Sequence, residues 1–204
     1  MDNQQRMQEL ALVAAENNWS FAPNADISSI PALQKFEFQT GEKRKVEKIE
    51  NLIEGKTFKV FDAYWKTEYK PSEAFAPLSH QDMSAKNIHQ QTMFLFDSKD
   101  LELPKFHVYP ANSVGLIDKW LDKNFRRIAF SAYPEFEKRW SVRGETKDFF
   151  SEKVIEFYQK SDNFWTFATE NCIFIYQPNI LIHPAEISAW IKRNSILSNL
   201  FEEL

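Results

Sequence analysis

The stretch of residues 57–67 carries aromatic rings on both sides, and that limits the architecture more than any other feature of the chain. On a strand, Phe58, Val60, Asp62 and Tyr64 point one way and Lys59, Phe61, Ala63 and Trp65 the other. A strand apolar on both faces belongs inside a sheet that is covered on both faces. Its partner is residues 46–53, joined to it through Glu54-Gly55-Lys56, where glycine is expected to supply the positive φ of a tight hairpin. The 19 phenylalanines require that the covering layers, too, are built largely from rings.

The remaining periodicities supply those layers. Residues 2–18 read as a helix whose apolar stripe runs through Met7, Leu10, Ala11 and Ala14. Trp19-Ser20-Phe21 is a short alternating segment ended by Pro23, and residues 31–36 open on a proline and read as one helical turn. Residues 88–97 and 106–109 are strands, 71–82 a polar loop, and 114–121 a short helix. Residues 126–144 read as a strand, a proline-started turn, a second strand and a glycine stop. Thr146 then caps a helix to about residue 160 with Phe150, Val154, Phe157 and Tyr158 on one face. Residues 164–169, 172–176 and 180–182 form a meander whose short turns force antiparallel pairing. A last helix starts at Pro184 and buries Ile187, Trp190, Ile191, Leu197, Phe201 and Leu204. The sum is one α+β domain spanning residues 1–204: a curved, mainly antiparallel sheet, helices at both ends of the chain and one inserted late.

Composition excludes several functions. Four glycines, none clustered, leave no phosphate-cradling loop, so P-loop and dinucleotide sites are ruled out and no cofactor is expected. There is no nucleophile elbow, no zincin helix and no calcium-binding acid ladder. The single cysteine, Cys172, reads as a small buried strand residue. No run of 18 apolar residues and no signal-peptide layout occurs, so a cytoplasmic location is expected. A net charge of −4 argues against broad nucleic-acid binding.

Two groups of residues stand out as candidates. Asp62 lies among rings on its strand face, where a carboxylate must be paired. A structural partner is expected among the arginines of residues 126–144, whereas an enzyme would combine Asp62 with His80 or His89 in a histidine–carboxylate site. His107 is expected at the solvent or the sheet rim, and His183 at a helix start. Asp118 and Asp122, four apart, read as a solvated helix face beside Lys119 and Lys123. The second group is the region 119–147, with eight basic residues against four acidic ones in a chain of net −4. Its rings, Phe125, Phe130, Tyr133, Phe136 and Trp140, would stack on bases if exposed. Its arginines, Arg126, Arg127, Arg139 and Arg143, would meet an acidic partner protein or an anionic lipid surface. Local pairs such as Glu137 with Arg139 would instead make this an ordinary mixed surface.

Gly41, the string Asn51-Leu52-Ile53-Glu54-Gly55 and the strand Val60-Phe61-Asp62-Ala63-Tyr64 resemble the start of an uncharacterised bacterial domain family. Leu103-Pro104-Lys105-Phe106, the strand entry at 136–142 and the late hairpin resemble its later parts, so that the likeness spans roughly residues 10–192. At Ala63 the family commonly has an aromatic residue. The resemblance implies a protein without an assigned activity, whose relatives often carry membrane helices, and it transfers no catalytic residue. The reading that follows is a soluble, non-catalytic binding module that uses Arg126, Arg127, Arg139 and Arg143, with Asp62 as a further candidate. The alternatives are a hydrolase or metal enzyme built on Asp62 with His80 or His89, and nucleic-acid or anionic-surface binding through 119–147.

Overall fold

The structure, a computed structural model, describes residues 2–36, 46–67, 87–114 and 126–203. The polar loop at 71–82 with His80, the helix expected beyond residue 114 with Asp118 and Asp122, and Gly41 lie outside them.

The first helix, α1 (Asn3–Glu16), starts where the Asp2 side chain accepts the Gln5 amide. Strand β1 (Ser20–Ala25) follows, and Pro23 sits inside it rather than ending it. That position is tolerable because β1 is an edge, where a missing N–H breaks no ladder. The hairpin β2 (Lys48–Glu54) and β3 (Phe58–Thr67) forms as expected. Its glycine works differently from expectation. Gly55 is not in the left-handed region; a Cβ there would come within 2.2 Å of the Phe58 ring, so close ring packing is what demands glycine. The residue with positive φ is Asn51 (53°), at a bulge in β2.

Next come β4 (Asn87–Asp97) and β5 (Leu103–Pro110). Within 126–144 the first strand, β6 (Arg126–Ile128), and the second, β7 (Trp140–Gly144), are present, but the segment between them is a helix, α2 (Pro134–Arg139). Its signals are ordinary ones: proline in the first turn, Glu135 and Glu137 at the start, and Lys138 and Arg139 at the end. Helix α3 (Glu152–Gln159) is capped by Ser151, whose Oγ accepts the Val154 amide. Thr146 instead bonds Asp148 in the preceding turn. Strands β8 (Trp165–Glu170) and β9 (Cys172–Tyr176) make a hairpin, and α4 (Ile187–Glu202) closes the described chain.

All the pairings are antiparallel, in the order β1-β2-β3-β4-β9-β8-β5-β7-β6, and the sheet does not close into a barrel. The late hairpin β8–β9 therefore inserts between β4 and β5, which are neighbours only in sequence. Residues 180–182 form no strand; they run beside β4, with the Thr92 amide donating to the Ile180 carbonyl (2.9 Å).

The sheet is covered on both faces. On the first, the helices pack Leu10, Phe136, Tyr158, Ile187 and Phe201 over Val60, Phe94, Phe106, Trp140 and Ile175. On the second, the turns around residues 30–33, with Phe36, cover Phe61, Met93, Phe167 and Phe174. Phe61 and Val60 are both buried, which is the two-sided burial that the ring pattern of this strand requires. Cys172 is buried, and burial pushes its thiol up to about 11, as befits an inert packing residue.

Candidate functional site

Asp62 sits at the centre of a closed polar unit. Arg6 Nε donates to its Oδ2 and Arg6 Nη2 to its Oδ1, both at 2.8 Å, a two-pronged pair. Asn51 Nδ2 donates to Oδ2 (2.9 Å), and the Thr92 hydroxyl to Oδ1 (2.8 Å). The left-handed bulge at Asn51 turns its amide toward the carboxylate. Arg6 donates further: Nη1 to the Ile182 carbonyl (2.7 Å) and Nη2 also to Thr92 Oγ1 (2.9 Å). The Ile182 amide donates to Thr92 Oγ1 (3.0 Å), so the hydroxyl gives one bond and receives two. Arg6 and Asp62 are 5% and 1% exposed, and each oxygen of the carboxylate already accepts two bonds.

The partner of Asp62 is therefore Arg6 of α1, not an arginine of residues 126–144. The sequence carries a signal for it. Arg6, Leu10 and Ala14, four apart, form the buried stripe of α1; the expected stripe shares Leu10 and Ala14 with it but takes in Met7 and Ala11 and leaves out Arg6. A charge on the buried side of a helix and one on the buried side of a strand are complementary anomalies.

Asp62 and His89 do not share a site. Asp62 is opposite Thr92 on the helix-covered face. His89 is opposite Trp65 and stacks on its ring (centroids 5.6 Å apart, planes at 11°) on the other face, with Nδ1 3.0 Å from Asn179 Oδ1. Among the described residues no cluster of three His, Cys, Asp or Glu side chains is placed to hold a metal. An open depression of about 600 Å³ lined by Leu101, Pro104, Phe149 and Glu170 lies at the start of β5, away from Asp62.

The arginines divide by role. Arg139 caps α3: Nη2 donates to the Ser161 carbonyl (2.8 Å) and Nη1 to that of Gln159. It does not pair with Glu137, whose carboxylate accepts the Phe130 amide (2.6 Å). Arg143 lies in a cross-strand row, Phe167–His107–Arg143–Arg127, on the second face of the sheet, and its Nε donates to the Tyr109 hydroxyl (2.8 Å). His107 is buried, not at the rim, and packs on Phe167 (centroids 4.7 Å apart). Burial, with Lys105 and Arg143 adding to it, pushes its imidazole down to about 3.

Arg126 and Arg127 differ from the other two. Both are exposed on β6, the last strand in the sheet order. Arg127 is opposite Arg143 and so points to the second face, while Arg126 is opposite Gly144 and points to the first. Of the rings in this region, Phe130, Phe136 and Trp140 are buried in the core and Tyr133 is half-buried, while Phe125 lies outside the described residues.

No family model matches the chain, and no curated protein matches it. Among solved structures it is similar to the crystal structure of the mycobacterial trehalose monomycolate transport factor A, TtfA. The identity is 8%, the match covers 97% of this chain and 92% of that one, and the TM-score is 0.57. At that identity the likeness is one of fold. No helix of the described residues is long and apolar enough to cross a membrane.

Proposed function

We propose that the chain is a non-catalytic binding module that takes an acidic partner protein at the β6 edge of its sheet. One observation carries this reading: Arg126 and Arg127 are exposed on adjacent positions of an edge strand, and among the described residues neither is in an ion pair. Surface arginines that are not spent on the fold supply charge for recognition. Arg139 leaves the candidate surface because it caps α3, and Asp62 leaves it because Arg6, Asn51 and Thr92 occupy its oxygens. The solved neighbour is named a transport factor, and a binding role belongs to the same broad class.

The test is binding of fluorescent poly-glutamate at low and high salt. Affinity is expected to fall steeply with salt and to drop at least tenfold in Arg126→Glu/Arg127→Glu, with the fold unchanged by circular dichroism. Equal affinity in the variant would sink the reading, as would a stoichiometric metal in the purified protein accompanied by turnover of a hydrolase substrate.

A further inference from the structure

We infer that the partner binds as an extended segment added to β6, and that this segment carries two acidic residues at adjacent positions. The inference rests on the binding reading above and specifies its geometry.

The argument starts from side-chain direction. Successive residues of a strand point to opposite faces of the sheet. Arg126 and Arg127 are successive, so they stand on opposite faces, as their register with Gly144 and Arg143 shows. No flat surface laid on one face of the sheet meets both. A strand laid along the edge meets both, because its own successive side chains alternate in step and each comes to lie directly across from an arginine. Acidic residues at i and i+1 of the added strand then pair with both; acidic residues at i and i+2 pair on one face only.

The edge itself is suited to this. Strand β6 is last in the sheet order, so among the described residues no strand pairs with its outer side. A row of backbone donors and acceptors along such a side is a template for another chain. The opposite edge, β1, carries Pro23 within the strand and neither Lys nor Arg between Ser20 and Ala25. Proline obstructs pairing along β1, whereas the charges on β6 select for an acidic partner strand. They also select against a second copy of this chain, because edge-to-edge pairing of two β6 strands brings arginines against arginines. The strand is three residues long, so the contact spans roughly 10 Å at about 3.3 Å per residue. A salt-sensitive, weak-to-moderate affinity is expected from so short a contact.

The experiment uses the full chain and three short fluorescent peptides of equal length and net charge. One has two adjacent glutamates among valines and threonines. The second has its glutamates two apart. The third repeats the first with alternate backbone nitrogens methylated. Strand addition predicts that the adjacent-acid peptide binds at least fivefold more tightly than the spaced one. N-methylation on the pairing side is expected to weaken it at least tenfold, and both Arg126→Gln and Arg127→Gln to weaken it singly. Equal binding of all three peptides, with Arg127→Gln still weakening each, overturns strand addition and leaves the acidic-partner reading standing. Binding that ignores both arginine variants overturns both readings. A concentration-dependent dimer in sedimentation that the adjacent-acid peptide dissociates also overturns it, since the edge would then belong to a second copy.

Discussion

At the scale of single residues, the molecule places its costliest groups where each has several partners. Arg6 and Asp62 are both buried, and their pairing is complete only because Asn51, Thr92 and the Ile182 backbone supply the remaining bonds. Removing one member leaves a buried charge without its counter-ion. Arg6→Met is therefore expected to lower stability by about 3–5 kcal/mol, and Asp62→Ala by a similar amount. The double variant Arg6→Met/Asp62→Leu is expected to recover only part of that loss: it removes both charges, but it leaves the buried Asn51 amide and the Ile182 carbonyl without the partners they had. Urea unfolding reads both; an unchanged midpoint for Arg6→Met would show that the pair is not structural. His107 gives a pH prediction. The folded state holds its imidazole neutral down to about pH 3, whereas the unfolded chain takes up the proton near 6.5. Between those values the unfolded state binds more protons, so the contribution of His107 to stability is present above about 6.5 and is lost as pH falls toward 3. His107→Phe is expected to flatten the decline of stability between roughly pH 6 and pH 4, whatever its effect at neutral pH. An unchanged slope, measured by urea unfolding at several pH values, would show that the ring is protonated in the fold.

At the scale of elements, the helix-covered face is a continuous set of rings, and position within it sets the expected loss. Phe136 is fully buried and packs edge-on against Phe130 (5.0 Å) and Tyr158 (6.2 Å), so Phe136→Ala is expected to cost about 3–5 kcal/mol. Phe157 is only half-buried on α3 and should cost distinctly less; thermal melts of the two variants decide the order. Ser151→Ala removes the α3 cap and is expected to cost about 1 kcal/mol. Gly144 makes a sharper test. A Cβ there would meet the Phe106 Cβ at 2.7 Å and the Lys105 carbonyl at 3.0 Å, so even Gly144→Ala must push β5 from β7. Elements with a strong period were legible in the sequence: α1, the β2–β3 hairpin, the β8–β9 hairpin and α4 all stand close to where alternation and helical spacing put them. Those misread were short or had two compatible signals. The six residues of α2 are too few for a period to show, and the proline that opens a turn also opens a helix. Thr146 and Ser151 are both acceptable caps, and only the tertiary position of α3 chooses between them. The Arg6–Asp62 pair was half legible. The strand showed that Asp62 needs a partner, but nothing local tells a carboxylate which of many arginines the fold will bring 56 positions along the chain.

At the scale of the whole molecule, the order of strands ties the two ends of the chain together. Strands β1 to β4 form a meander, and β5, β7 and β6 form a second group; within the sheet, among the described residues, the β8–β9 hairpin is the strand pair that joins them, through Met93 opposite Tyr176 on one side and His107 opposite Phe167 on the other. Helix α1 is stapled to the same arrangement, because Arg6 reaches Asp62 of β3 and the carbonyl of Ile182 at once. Neither group of strands can cover its inner edge until residues 165–176 are in place. Such non-local pairing closes long loops before its contacts are made, which slows folding and couples the parts. The molecule is therefore expected to unfold in one cooperative transition although its sheet has two sequence-distinct halves. Far-UV circular dichroism and tryptophan fluorescence should give coincident urea curves. Native-state hydrogen exchange should report the same opening free energy for the Phe61 amide in β3 and the Val108 amide in β5, two buried strand positions on opposite sides of the hairpin. Ala168→Asp places a charge at a fully buried position of β8 and should lower both together. If it releases the amides of β5 while those of β3 keep their protection, the two groups of strands fold independently, and the inserted hairpin is an attachment rather than the joint of the sheet.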